Sequence, residues 1–224
     1  LPTISRRQRQ MCIRDSRLPL AIRWGEGIKN PGRIINDYVS FSDFAPTFLE
    51  LVGIDLANQN MEDFSGTSWK NIFNDEPIQK KRNYMIIGKE RHDVGRQNDN
   101  GYPVRAIIAG HYFYSLNFKP NRWPAGNPET GYLNTDGSPT KTEILNLKRE
   151  GLNEDYWNLS FGKRPEETLY DLRKDPDCIE NIAQNNKYSF IKDSLRKVLI
   201  EDLKINKDPT VSYTHLTLPT TDRV

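Results

Sequence analysis

The chain has 224 residues, 36% of them hydrophobic, and a net charge of +2 from 32 basic and 30 acidic side chains. That length suits one domain, or a domain with a smaller lobe. The charge balance argues against electrostatic capture of nucleic acid, which needs a concentrated basic face. No window approaches the roughly 18 apolar residues of a membrane span. Two cysteines, Cys12 and Cys178, cannot build a disulfide framework and show no zinc-ligand spacing.

In chain order, residues 1–16 (LPTISRRQRQMCIRDS) carry no helix or strand period and no apolar core of a signal peptide. The other end, VSYTHLTLPTT at 211–221, alternates weakly and stops. Both ends resemble translated sequencing-adaptor read-through at the edge of a metagenomic gene. Residues 1–16 and 207–224 are therefore expected to be non-native tails, and the piece between them a fragment.

LPLAIRW at 18–24 is short and apolar, as a buried strand is. A Gly/Pro turn follows at 25–33. VSFSDFAPTFLELVGI at 39–54 predicts a helix capped by Ser42 or Asp43, with Pro46 in its first turn and Gly53 as its stop. Its expected apolar face is Phe44, Phe48, Leu49, Leu51 and Val52. Residues 55–82 read as a loop with one short helix, anchored by SGTSWKNIF.

Strands dominate next: 83–88, then 104–110 paired with 111–118 through a turn near Ala109–Gly110. In the last of these, Tyr112, Tyr114, Leu116 and Phe118 alternate with His111, Phe113, Ser115 and Asn117. The stretch 119–141 is long and irregular, with Pro120, Pro124, Pro128 and Pro139. Helical segments are expected at 141–150 and 152–159. LYDLRKDP at 169–176 predicts a strand and a turn, and 187–204 an amphipathic helix. The order is that of an α/β edge passing into an α+β lobe.

The densest chemistry lies where the strand at 83–88 ends, in GKERHDVGRQNDN. Arg91, His92 and Arg96 form a cationic group suited to a sulfate, phosphate or carboxylate, which guanidinium binds through paired hydrogen bonds. Glu90 and Asp93 can accept hydrogen bonds from sugar hydroxyls. A solvated charged loop is the competing reading, and residue types alone leave both open. Trp123 and Tyr132 could stack on a sugar, but pinning a long loop to the core is the favoured role. Asp171, Asp175 and Asp177 lack calcium-loop spacing and read as a strand–turn–helix junction. His111 reads as a surface residue.

Three segments together resemble the sulfatases. RLPLAIRWGEGIKNPGRIINDYVSFSDFAPTFLELVGI resembles the stretch that carries a Ser-x-x-Asp-x-x-Pro-Thr pattern, supplied here by Ser40, Asp43, Pro46 and Thr47. LYDLRKDPDCIENIA resembles the sulfatase C-terminal signature. GKERHDVGRQNDNGYPVRAI, with NFKPNRWPAGNPETGY behind it, is similar to the sulfamidase-like branch, the heparan N-sulfatases. The resemblance covers about residues 17–206.

The resemblance implies an alkaline-phosphatase-like α/β fold. Residues 17–60 would end the catalytic domain, 61–82 connect, and 83–206 form the C-terminal antiparallel-sheet lobe. The implied activity is hydrolysis of sulfate esters or sulfamates of glycosaminoglycan-type sugars, as an N-sulfoglucosamine sulfohydrolase does, in the periplasm or outside the cell. The family's nucleophile is a formylglycine made from a Cys-x-Pro-Ser-Arg-type cysteine, assisted by a Ca2+ ion. Neither that motif nor the calcium carboxylates occur here, so the fragment itself is expected to be inactive. The implied partners are a sulfated sugar and the missing N-terminal part of the same chain, with no nucleic acid and no membrane. His92 is the first expected substrate contact, ahead of Arg91, Glu90, Asp93 and Arg96. A stand-alone carbohydrate-binding module, or a phosphodiesterase or phosphatase of the same superfamily, are the alternatives.

Overall fold

The computed structural model describes residues 20–58, 61–77, 82–90, 100–130 and 137–213. The chain divides into two compact units, Pro19–Met85 and Ile86 onward.

In the first unit, Ser40 caps a 3-10 turn (Phe41–Asp43) that runs into helix α1 (Phe44–Leu51). The Ser42 amide donates to Ser40 Oγ at 3.3 Å, and the Ser40 amide donates to Asp43 Oδ2 at 2.8 Å. This reciprocal capping box satisfies two otherwise orphaned donors. Asp43 stands at the N-cap of the α-helix, as expected, but makes no side-chain cap bond there; the capping hydroxyl is that of Ser40, one short turn earlier. Gly53 stops the helix as expected. Its φ of +83° lets the amides of Gly53 and Ile54 reach the carbonyls of Glu50 (3.1 Å) and Leu49 (3.0 Å).

The buried face of this helix is not the expected apolar one. Phe48 and Val52 are 58% and 73% exposed, while Asp43 and Thr47 are fully buried beside Pro46. Asp43 lies under the loop 65–69. Its carboxylate accepts from the amides of Ser40 and Thr67 (2.7 Å), from Trp69 Nε1 (3.1 Å) and from both terminal nitrogens of Arg82. Thr47 Oγ1 donates to the Asp43 carbonyl (2.6 Å) and accepts from the Trp69 amide (2.9 Å). Gly66 makes this docking possible, because a Cβ there would stand 2.0 Å from the Ser42 carbonyl oxygen. SGTSW therefore anchors its loop through a polar hub, and a short helix α2 (Lys70–Phe73) follows. Arg33 fastens the Gly/Pro turn to the end of that helix, through Asp75 and the Ile72 carbonyl (2.8 Å).

The expected strand at 18–24 is not formed over 20–24. Leu20, Ile22 and Trp24 are exposed instead, and no strand among the described residues pairs with them. An apolar run becomes a strand only where a neighbour satisfies its backbone.

In the second unit, strands β1 (Tyr84–Lys89), β2 (Val104–Ala109), β3 (Tyr112–Asn117) and β4 (Glu167–Asp171) form one sheet in that order, with 86–89 of β1 belonging to this unit. β2, β3 and β4 run antiparallel, and their register aligns Ile107, Tyr114 and Leu169 in one fully buried row. β3 departs from strict alternation because both of its faces are covered: Phe113, Tyr114, Leu116 and Asn117 are all buried.

Helices α3 (Pro139–Arg149) and α4 (Glu154–Phe161) pair through Ile144, Leu145, Phe161 and Trp157. α3 starts two residues before its predicted position, because Ser138 Oγ caps the Lys141 amide at 3.1 Å and Pro139 opens the first turn. Helix α5 (Ser189–Ile205) packs Leu195, Leu199, Ile200 and Leu203 inward and rests on β2 and β3. Tyr114 donates to Glu167 Oε1 at 2.6 Å, with Lys192 and Arg196 of α5 beside the same carboxylate. Burial and then Glu167 push the Tyr114 phenol upward, so it stays a donor. The outcome is the expected α/β composition, with an antiparallel sheet and a packed helix in the second unit.

Candidate functional site

β1 delivers Glu90 to the start of the charged segment, and the chain returns at Gly101 and Tyr102. The Tyr102 amide donates to the Glu90 carbonyl at 2.6 Å, and Arg122 donates to the Gly101 carbonyl at 2.7 Å. Tyr102 is buried, and its hydroxyl accepts from Asn117 Nδ2 at 2.8 Å. The two ends of the segment are thus closed against each other and tied to the sheet. Arg91, His92, Asp93 and Arg96 lie outside the described residues, so of the expected site residues Glu90 alone is placed. Its side chain is 49% exposed and turns toward Arg105, with Oε2 3.4 Å from NH2.

Arg105 is the residue that sequence reading missed. It sits in β2 at a position that looks like part of an apolar run, yet its side chain is only 9% exposed. It grips Asp208 in fork geometry, Nε to Oδ2 at 2.8 Å and NH2 to Oδ1 at 3.2 Å, and NH1 donates to the Lys89 carbonyl at 3.2 Å. Burial raises the Asp208 carboxyl, but hydrogen bonds from Arg105 and Thr210 outweigh that and hold it below its ordinary value. A single arginine within VRAIIA was the available signal: a charge there needs a partner.

The other candidates take structural roles. Trp123 meets Trp157 edge to face at 5.8 Å, which fastens its loop to the α3–α4 pair. Tyr132 lies outside the described residues. Asp175 accepts the amides of Ile179 (3.0 Å) and Glu180 (2.8 Å) and caps a turn. Asp171 is held by Arg173. His111 is not the plain surface residue expected. It is half-buried, its ring lies tilted against that of Tyr112 with centroids 4.2 Å apart, and its Nε2 is enclosed with no hydrogen-bond partner. The Cys178 thiol is buried and pushed up to about 12, chiefly by burial and then by Asp175 and Asp177, which removes it as a nucleophile. No group of three or more His, Cys, Asp or Glu among the described residues could hold a metal ion. The described residues therefore do not fit the calcium that the sulfatase resemblance implies.

A cleft of about 560 Å³ lies in the first unit, lined among others by Asp37, Glu50, Asp63 and Arg82. Its arginine is already committed to Asp43.

No family model matches the chain. Two ulvan-active sulfatases of Formosa agariphila do. One is 31% identical over 166 residues, 72% of this chain and 24% of the relative. The other is 26% identical over 192 residues, 86% of this chain and 34% of the relative. The chain is similar to sulfatases over most of its length. It spans about a quarter to a third of the length of these curated relatives. Among solved structures, it aligns with a 2-O GAG sulfatase at a TM-score of 0.46 and 20% identity, covering 76% of this chain and 26% of that one. Another protein, solved in complex with its substrate D-glucosamine-2-N,6-O-disulfate, aligns at a TM-score of 0.44 and 17% identity, covering 74% of this chain and 24% of that one.

Proposed function

We propose that this chain is the C-terminal part of a formylglycine-dependent sulfatase, and that the parent hydrolyses sulfate esters or sulfamates on the sugars of an anionic polysaccharide. The observation that carries the reading is the similarity to two sulfatases over 72% and 86% of the chain. That match embraces both units, not one motif. The finer assignment is to N-sulfated glucosamine. It rests on the similarity of 88–107 to the sulfamidase-like branch, and on the match between a cationic, carboxylate-bearing loop and a ligand that is both anionic and rich in hydroxyls. In this reading His92, Arg91, Asp93 and Arg96 meet the substrate, and Glu90 borders them. The nucleophile and a calcium ion would come from the remainder of the parent, which would work in the periplasm or outside the cell.

The test is to read the parent gene across position 17 and assay its product on N-sulfoglucosamine and on 2-O- and 6-O-sulfated sugars. An upstream Cys-x-Pro-Ser-Arg-type motif with release of sulfate is the expected result. An upstream serine or threonine nucleophile with phosphate-ester turnover would replace this reading with a phosphatase or phosphodiesterase. The 224-residue chain alone should release no sulfate from any of these substrates.

A further inference from the structure

We propose that Trp123, Trp157, Lys163 and Lys148 form a binding platform for an acidic sugar, a ring bearing a sulfate or carboxylate within an anionic polysaccharide. The class of ligand rests on the reading of the parent as a sulfatase of such polysaccharides. The platform itself stands on the geometry of the second unit.

Three separate stretches of chain meet here. The loop after β3 supplies Trp123, α3 supplies Lys148, and α4 with the turn beyond it supplies Trp157 and Lys163. The two indoles stand at 89° to one another with centroids 5.8 Å apart. Lys163 Nζ lies over the Trp123 ring, 5.2 Å from its centroid, and Lys148 Nζ lies over the Trp157 ring at 5.0 Å. Both indoles are half-buried, so each is fixed by packing and still reaches the surface. Trp157 Nε1 is enclosed with no acceptor among the described residues, a cost that phenylalanine would avoid. What indole offers over phenylalanine is a stronger hold on a cation. Fastening the loop requires neither the second indole nor the two ammonium groups above the pair.

The backbone beneath the platform is held from both sides. Gly162 turns the chain off α4 where a Cβ would stand 2.6 Å from the Asn158 carbonyl oxygen. Arg164 then donates to the carbonyls of Asn158 (3.1 Å) and Leu159 (2.6 Å). Opposite, Arg122 ties the loop of Trp123 to the Gly101 carbonyl. Lys148 is paired with Glu154 at 2.7 Å. Lys163 is exposed and, beyond its ring contact, makes no ion pair or hydrogen bond among the described residues. Its ammonium is a compact charge on a flexible stem. It can lift from the ring to meet an oxyanion while the indole keeps the apolar face of the sugar. The Glu154 carboxylate beside Lys148 can accept from a hydroxyl. Aromatic face, free cation and carboxylate acceptor together match a ligand that is both anionic and rich in hydroxyls. The lobe carries its own control: Lys187 stands over a single ring, Tyr188, at 5.9 Å. That ring lies against Tyr112 at the start of β3, whereas Trp123 follows the end of the strand.

The experiment titrates the 224-residue chain with a heparin-derived tetrasaccharide and with uncharged cellotetraose, followed at the four indole N–H resonances. Those of Trp123 and Trp157 should move with the sulfated probe, and those of Trp24 and Trp69 in the first unit should not. Cellotetraose should bind at least about tenfold more weakly. Lys163→Ala should weaken binding of the sulfated probe by about tenfold, and Lys163→Arg should restore most of it. Lys187→Ala removes the same charge elsewhere and should weaken binding by less than about twofold. Trp123→Phe keeps an aromatic ring with a poorer hold on cations and should cost about threefold. Equal losses in Lys163→Ala and Lys187→Ala would reduce the effect to general charge attraction and overturn the proposal. So would unmoved Trp123 and Trp157 resonances, or equal binding of cellotetraose. If Trp123→Phe loosens its loop and lowers the melting temperature, the two variants of exposed Lys163 decide the question alone. Binding needs no nucleophile, so the two ideas fail separately. A chain that ignores the probe leaves the sulfatase reading standing, and an upstream serine or threonine nucleophile in the parent leaves the platform standing.

Discussion

Each unit is stabilised within itself by different physics. Ile86 onward is built on a sheet whose central row, Ile107, Tyr114 and Leu169, is fully buried under α5. Pro19–Met85 centres on a buried carboxylate with amide, indole and guanidinium donors around it, and it leaves Leu20, Ile22, Trp24, Ile34, Phe41, Phe48, Val52 and Met61 exposed. Apolar burial is non-directional and tolerates small shifts. A buried polar hub demands that every member be present, because a donor left without its acceptor keeps its full desolvation cost. The second unit should therefore yield gradually to substitution, and the first abruptly.

The sharpest test removes the hub. Asp43→Ala leaves Arg82, Trp69 Nε1 and two backbone amides without their acceptor. Breaking one side of such a buried pair costs about 3–5 kcal/mol. Denaturant unfolding followed by tryptophan fluorescence should show most of that loss, and a change near zero would break the contrast between the units. Leu169→Ala makes the matching cut in the sheet core and should cost about 3 kcal/mol through lost burial and a residual cavity. Unlike the first variant, it should leave the exchange protection of the Trp69 amide intact.

Gly66→Ala comes next. The added methyl would collide with the Ser42 carbonyl, and backbone cannot move aside as a flexible side chain can. Overpacking of this kind costs about 1–3 kcal/mol, and thermal melting would read it. A Gly53→Ala change makes a useful control, since nothing stands near its Cβ and its cost comes only from the positive φ.

Acid separates the units less strongly. Asp43 and Asp208 are each raised by burial, yet held below the ordinary carboxylate value of 3.8 by their hydrogen bonds, chiefly those from Arg82 and Arg105. A depressed folded pKa adds stability that is fully present above the unfolded value and is lost as pH falls through the folded one. Stability should stay level from about pH 5 to 8 and decline below about pH 4. Asp208→Asn should flatten that decline in the second unit. A decline beginning near pH 6 would point to histidine instead.

How much of this was legible depends on what each residue answers to. Gly53 and the pattern of 187–204 act through their own backbone and neighbours, so the helix stop and α5 could be read locally, whereas the start at Ser138 and Pro139 was placed two residues late. Asp43 and Arg105 act across 39 and 103 residues, and no periodicity reveals such a partner. Local reading placed Asp43 at a cap, which is true of its box with Ser40 and blind to Trp69 and Arg82. The left-handed reversal at Lys207 and the residues Asp208 and Thr210 fall in the stretch 207–224 that sequence reading takes for a non-native tail, yet Thr210 is fully buried and Asp208 is bonded to Arg105. The strand expected at 18–24 failed for a related reason: apolar character says that a segment wants cover, not that cover lies within reach.

The smallest expected effect on stability concerns that uncovered surface. Phe48 and Val52 lie four residues apart at the end of α1 and after it, on one side, and both face solvent. Replacing both with Ser and Lys removes exposed apolar area without opening a cavity, so stability should change by no more than about 0.5 kcal/mol. Self-association should change far more, because a contiguous apolar patch promotes contact between copies. Sedimentation at rising concentration should show the unsubstituted 224-residue chain associating and the double variant remaining dispersed. A large drop in melting temperature would instead mean that these side chains are covered in solution, and the first unit would then be a closed body like the second.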